Sequence, residues 1–342
     1  MESEQTDQKE ETNQTEQTDQ KEEKEETNQK EETDQTELQK CNLENNNNIN
    51  NKSIIKHLVI SGGGSTGLSF YGILKESQQS GLWNIENIQS IYSTSVGSIF
   101  SIIVCLKYEW DIIDNFLIKR PWQNVFKFDL YSIIQAFDRQ GIFSMKIMED
   151  IFSPLLLGVD LDINITLKEF YEINKIDLHI FSTELNKFET VDFSHKTHPD
   201  WRIIDVVYCS CALPILFPPY MKEDKCYIDG GILTNYPIYY CLQSGAKPEE
   251  IFGIKKLNSN IKPYNKENST FFDYLMIIFS NIFEKLLVID NNIHNTIEHE
   301  IKVSDAAIVI TDILSTASSL EKRQGLINRG IEIFKDSPFE HI

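Results

Sequence analysis

The chain has 342 residues and a formal net charge of −20, and 41% of its residues are hydrophobic. That length is enough to bury a sizeable core. The acidic balance, with no basic stripe anywhere, excludes nucleic-acid binding and charge-driven docking on anionic lipid. The charge is uneven: residues 1–50 hold sixteen Asp and Glu against five Lys, so −11 of the −20 sits there and −9 on the remaining 292 residues.

Residues 1–53 are low in complexity. Near-copies of Thr-Asp-Gln-Lys-Glu-Glu begin at Thr6 and Thr18, and an Asn run spans Asn45 to Asn48. Such a segment has almost no apolar surface to set against the entropy of ordering. The sequence therefore predicts a disordered acidic tail over 1–53 and one folded domain over 54–342. The N-terminus carries neither a basic n-region nor an apolar h-region, so no secretory signal is expected. The six cysteines (Cys41, Cys105, Cys209, Cys211, Cys226, Cys241) form no CxxC pair and read as reduced, buried thiols of a cytoplasmic protein.

From Lys56 the pattern changes. His57 to Ser61 reads as a strand that ends in Gly62-Gly63-Gly64, and an amphipathic helix follows over Thr66 to Gln79. Ile88 to Ser93 reads as a second strand, leading through Thr94-Ser95-Val96-Gly97 into an apolar helix to about Lys107. Two strand–turn–helix units in succession predict an α/β fold with a mainly parallel sheet and helices on both faces. Residues 108–165 read as a helical, irregular insertion over one face. Thr166 to Glu169 is a capping box opening a short helix, and Ile176–Thr183 with Lys187–Phe193 predicts a hairpin. A helix over Trp201–Cys211, a strand at Cys226–Ile228, a helix from Pro237 and a strand at Ile251–Lys255 come next. Ala306–Ile310 is expected to be one more strand and Ser319–Phe334 the final helix. Phe271 to Ile289 is the longest apolar stretch. It contains Asp273, Asn281, Glu284 and Lys285, too polar for a bilayer core, so it reads as a core-packing or interfacial helix rather than a membrane span.

Three groups of residues could carry chemistry. In Gly62-Gly63-Gly64-Ser65-Thr66-Gly67, glycines after a strand let backbone N–H groups converge at the positive end of the next helix, which makes an anion site. The loop also satisfies GxGxxG, but the second strand ends at Ser93 where a dinucleotide fold wants an acidic residue, and no Gly-Lys-Ser/Thr follows for a P-loop. Ser93-Thr94-Ser95-Val96-Gly97 places a serine between a predicted strand and helix, as a nucleophile elbow requires; capping of that helix by Ser95 is the simpler alternative. Tyr227-Ile228-Asp229-Gly230-Gly231, running on to Asn235, ends an apolar strand in a carboxylate followed by two glycines.

Taken in order, these motifs resemble the patatin-like phospholipases, which carry a glycine-rich oxyanion loop, a GxSxG elbow and a distal Asp-Gly-Gly/Ala. Ser210 to Pro219 looks like the family's proline-bearing segment, and Ile165–Phe170 with Leu178–Asn186 like its helix–strand unit. The resemblance covers roughly residues 56–335. It implies a serine esterase of the phospholipase A type, with Ser95 as nucleophile, Asp229 as general base and an acyl-serine intermediate. The oxyanion site would be Gly62, Gly63, Gly64, Ser65 and Gly67, with the N–H groups of Gly63, Gly64 and Ser65 as donors. Ser93, Gly97, Gly230, Gly231 and Asn235 would support the two motifs. The resemblance implies no metal and no cofactor, peripheral contact with membrane or micellar phospholipid, and room for an activating protein. For Asp229 to act as a base near neutral pH, burial must raise its pKa. Two departures stand out: Thr66 where the family has Arg or Lys, and Ser93 where it has Gly. They motivate an alternative, a chain that keeps the fold and binds lipid without turnover. A Ser–His–Asp arrangement would need His294 or His299.

Overall fold

The computed structural model describes residues 53–127, 136, 138–258, 267, 270–290, 297–305 and 310–339. Two units separate between Ser53 and Ile54, and the fold described is that of the second. The expected acidic tail lies outside the described residues, as do Cys41, His294, His341 and residues 306–309 of the strand expected at Ala306–Ile310.

Eight strands form one sheet: β1 (His57–Ile60), β2 (Ser90–Thr94), β3 (Asp177–Glu184), β4 (Glu189–Phe193), β5 (Tyr220–Lys222), β6 (Lys225–Asp229), β7 (Ile251–Asn258) and β8 (His299–Asp305). Their order is β5-β6-β3-β2-β1-β7-β8, with β4 paired to β3. The run from β3 through β2, β1 and β7 to β8 is parallel, whereas β4 and β6 run antiparallel to β3 and β5 antiparallel to β6. The sheet is thus mainly parallel, with an antiparallel flank beyond β3.

Both faces are covered, as a parallel sheet requires. Leu58 and Ile60 of β1 join the larger core while Val59 between them joins the smaller one, and Ile91 and Tyr92 of β2 divide in the same way. The larger core takes α1 (Gly67–Gln79), α2 (Val96–Cys105), α3 (Trp110–Lys119), α4 (Lys146–Leu157), α5 (Leu167–Asn174) and α6 (Ile203–Cys211). The smaller is closed by α7 (Ile238–Gln243). The last helices, α8 (Phe271–Asp290), α9 (Ile310–Ser318) and α10 (Leu320–Lys335), add Met276, Ile310, Ala317, Ile327 and Phe334 to the larger core.

The capping box is present as expected, with Thr166 Oγ1 accepting from the Glu169 N–H and the Glu169 carboxylate accepting from the Thr166 N–H. The expected hairpin is β3–β4. The last strand differs: Ile310 opens α9, and the edge strand is β8, placed earlier. Its sequence alternates buried Ile301 and Val303 with exposed Lys302 and Ser304, the pattern of a half-solvated edge and not of the continuous apolar run expected of an inner strand. In α8 the apolar residues divide between two faces. Met276 and Ile277 are buried with Asp273, while Phe271, Tyr274 and Ile282 are exposed. Among the described residues no helix is long and apolar enough to cross a membrane.

Candidate active site

Strand register brings the second and third motifs of the chemistry together. β2 ends at Thr94, opposite Phe181 of β3. β3 continues past that point, and its next residue, Ser182, is opposite Asp229, the last residue of the antiparallel β6. Ser95 and Asp229 therefore leave the sheet side by side at the carboxyl ends of the parallel strands, where open α/β sheets place their ligands.

Ser95 turns with φ 52° and ψ −129°, a left-handed conformation that a serine adopts at a cost. It occupies the N-cap position of α2 yet makes no capping bond. Its Oγ instead donates to Asp229 Oδ2 at 2.7 Å. Gly97 lets α2 start this close to β1: a Cβ there would stand 2.6 Å from the Ile60 carbonyl oxygen and 2.7 Å from that of Ser61. Ser93 is wholly buried within β2, and its Oγ has no hydrogen-bond partner among the described residues. The elbow forms around the extra Cβ, but the hydroxyl is left unsatisfied.

The other oxygen of Asp229, Oδ1, accepts the Gly231 N–H at 2.7 Å. Burial penalises the charged carboxylate and raises its pKa to about 6, against the opposing pull of the Ser95 and Gly231 hydrogen bonds. No cation faces it. Burial likewise pushes the neighbouring Cys211 thiol up, with the Asp229 charge adding to the effect. Gly230 packs against the Phe181 carbonyl, where a Cβ would be 2.1 Å away.

The glycine loop lies beside this pair. Gly64 has φ 57° and opens a single 3-10 turn, Gly64–Thr66, before α1. The N–H groups of Gly63, Gly64 and Ser65 have no acceptor among the described residues, and Gly64 and Ser65 line the same cavity as Ser95. The other two residues of the expected loop, Gly62 and Gly67, were not among the expected donors, and their N–H groups are engaged. The Gly62 N–H donates to the Asn235 carbonyl at 3.0 Å, and the Gly67 N–H is taken by the Gly64 and Ser65 carbonyls, so neither is a free donor. Their part is steric. A Cβ on Gly62 would meet Asn235 Oδ1 at 2.5 Å and Ser95 Cβ at 3.1 Å, and one on Gly67 would meet Val96 at 2.4 Å. Asn235 thus joins the glycine loop to the Asp229 motif. Thr66 is buried beneath the loop.

The pair opens into a cavity of about 200 Å³, walled by Leu68, Ile99, Phe100, Phe116, Trp122, Met148, Leu213 and Phe217. Arg323 also borders it, but its guanidinium donates to the carbonyls of Ile118, Arg120, Thr316 and Ala317, so its N–H groups are engaged by backbone. Leu213, Leu216 and Phe217 of the wall follow α6, and α3, α4 and α9 supply walls that the sequence did not single out; apolar helix faces of this kind look the same whether they line a cavity or fill a core.

Three of the described histidines lie away from this pair. His57 and His179 belong to β1 and β3 near their amino ends, and His299 starts β8, three strand positions from β2, about 14 Å across the sheet.

A family model for patatin-like phospholipase matches residues 58–242, more than half of the chain. The chain belongs to the patatin-like phospholipase family. An uncharacterised protein of Acanthamoeba polyphaga mimivirus is 30% identical over 187 residues, covering 55% of this chain and 61% of that protein. A probable lipid hydrolase of Invertebrate iridescent virus 6 is 28% identical over 218 residues, covering 60% and 72%. A lysophospholipase of Meyerozyma guilliermondii is 25% identical over 194 residues, 56% of this chain but 12% of its own. The chain therefore spans under two thirds of the mimivirus protein and a small part of the fungal one. A crystal structure of VipD from Legionella pneumophila overlaps 80% of this chain and 67% of its own, with 18% identity and a TM-score of 0.43.

Proposed function

We propose that this patatin-like chain hydrolyses fatty acyl esters, phospholipids foremost, at a lipid–water interface. The observation that carries the reading is the 2.7 Å hydrogen bond from Ser95 Oγ to a buried carboxylate, at the mouth of an apolar cavity and beside unpaired backbone N–H groups. A serine hydroxyl is a poor nucleophile without a base in reach. Asp229, with its pKa raised to about 6, is ionised at neutral pH yet far more basic than a free carboxylate.

In this mechanism the cavity takes an acyl chain and presents the ester carbonyl to Ser95. Oγ attacks as Asp229 removes its proton, and the N–H groups of Gly63, Gly64 and Ser65 hold the oxyanion, each such donor being worth ~10²–10³ in rate. Asp229 then returns the proton to the leaving alcohol, and an ester of Ser95 remains. Water, deprotonated by Asp229, releases the fatty acid. The probable lipid hydrolase and the lysophospholipase among the relatives support lipid esters as the substrate class. The protein would touch membranes or micelles peripherally, from the cytoplasmic side. The alternative of a lipid-binding chain without turnover is motivated by Ser93, whose buried hydroxyl lacks a partner; the formed elbow and the paired carboxylate favour turnover.

The test is fatty-acid release from mixed phospholipid vesicles by wild type, Ser95→Ala and Asp229→Ala. Both variants should lose activity by ~10³-fold or more. Release by Ser95→Ala at the wild-type rate would refute the mechanism, and lipid binding without labelling of Ser95 by a fluorophosphonate would favour the non-catalytic alternative.

A further inference from the structure

Ser95 has a strained, left-handed backbone conformation that persists only if its surroundings over-determine it. The constraint comes from a segment with no assigned role. Ser210, in the last turn of α6, is wholly buried, and its Oγ accepts the Ser95 N–H at 2.8 Å. The single proton of that hydroxyl is directed to the Phe181 carbonyl, at 2.6 Å, so a lone pair must face Ser95. Phe181 is the β3 residue opposite the end of β2, which makes Ser210 the strut between the sheet and the elbow. Two residues on, the Ala212 carbonyl accepts the Asp229 N–H at 3.0 Å. The same turn is itself fastened, because Ser182 Oγ contacts both the Cys209 carbonyl, at 3.1 Å, and the Ile228 carbonyl beside Asp229, at 2.8 Å.

We propose that the turn from Ser210 to Ala212 is a clamp that sets Ser95 and Asp229 against each other, with Ser210 as the positioning residue for the nucleophile. One short stretch of backbone and one hydroxyl hold a main-chain N–H of each partner, so the Oγ–carboxylate distance is fixed through α6 and not through the two strands alone. The Ser95 N–H is thereby consumed, and oxyanion binding falls to the glycine loop. Without the Ser210 hydroxyl, the Ser95 amide loses its acceptor and the elbow is free to leave its left-handed conformation. The role in turnover rests on the Ser95–Asp229 mechanism proposed above; the clamp geometry does not.

The experiment compares wild type with Ser210→Ala, Ser210→Thr and Ser77→Ala. Ser77 is a matched control: it too is wholly buried, accepting from Trp83 Nε1 at 2.9 Å and donating to the Leu74 carbonyl at 3.1 Å, far from the elbow. Ser210→Ala should slow fluorophosphonate labelling of Ser95 by ~10–100-fold, the loss expected of a small misplacement, with the fall in kcat and little change in KM. Ser210→Thr restores the hydroxyl and should recover labelling to within roughly threefold, at some cost in thermal stability from its extra methyl. Ser77→Ala should lower the melting temperature and leave labelling unchanged. The pH midpoint of labelling should rise in Ser210→Ala, because a displaced Ser95 hydroxyl no longer holds the Asp229 pKa down. Independently of activity, hydrogen exchange at the Ser95 amide should accelerate by roughly tenfold or more in Ser210→Ala and not in Ser77→Ala. Wild-type exchange and labelling in Ser210→Ala, or an equal loss of labelling in Ser77→Ala, would overturn the clamp. If wild type is never labelled at Ser95, the catalytic reading fails, and the exchange result alone decides whether the clamp exists.

Discussion

The two edges of this sheet treat buried charge in opposite ways. At the amino ends of the strands, His179 of β3 lies between two carboxylates, with Nδ1 2.8 Å from Asp192 and Nε2 3.5 Å from Asp177, and its ring stacks on Tyr92. Burial disfavours the charged ring, yet the Asp177 and Asp192 carboxylates prevail and raise its pKa to about 9. Asp177 also pairs with Lys196. Burial opposes its ionisation, but His179 and Lys196 bring its pKa down to about 2. At the carboxyl ends, Asp229 has no counter-ion among the described residues, its pKa moves up to about 6, and the loop N–H groups beside it have no acceptor among those residues. One edge is matched and stabilises the fold. The other is left unmatched, and unmatched groups are the ones that can act on a substrate.

Replacing Asp229 by Asn breaks this contrast most severely. Turnover should fall by ~10³-fold or more, since no base remains. Stability should move the other way. The folded-state pKa of Asp229 is raised, so the carboxyl favours folding below about pH 4 and loses that contribution as pH rises through about 6. At pH 7 the Asn variant should therefore be more stable than wild type by up to about 3 kcal/mol, and at pH 3.5 nearly equal, as denaturant titrations at the two pH values would report.

The pH–rate profile comes next. Only ionised Asp229 accepts the Ser95 proton, so kcat/KM should climb about tenfold per unit below pH 6 and level off above it. A flat profile from pH 4 to 8 would remove Asp229 as base. At the opposite edge, His179→Gln should cost about 2–3 kcal/mol at pH 6, where the paired imidazolium contributes in full. Its folded pKa is raised, so that contribution fades as pH passes about 9, and wild type and variant should then converge. Labelling of Ser95 should not change. Smallest is Ser93→Ala, which removes an unpaired buried hydroxyl and should raise stability by about 1 kcal/mol, read as a small increase in melting temperature.

Much of this was legible in the sequence because the signals are local. The glycine run after an apolar strand, the serine between strand and helix and the Thr166 capping box each depend on a few neighbouring residues, and each is where it was expected. β8 was not anticipated, since a half-exposed edge strand with Lys302 and Ser304 facing solvent lacks the apolar run of an inner strand. Gly62 and Gly67 were expected in the oxyanion site, but which N–H groups stay unpaired depends on Asn235 and on the 3-10 turn, neither of which spacing reveals.

The sequence by itself determined the order of the motifs and the α/β class, because strand–turn–helix patterning and glycine placement are short-range properties of the chain, while the pairing of Ser95 with Asp229 was implied only by the family resemblance. Tertiary structure alone decided that these two residues, 134 positions apart, lie 2.7 Å from one another. The physical reason is register: β3 outruns β2 by enough to pair with β6, and α6 then ties a main-chain N–H of each residue to one turn. No segment of the chain encodes that distance, which arises only where three strands and a helix meet.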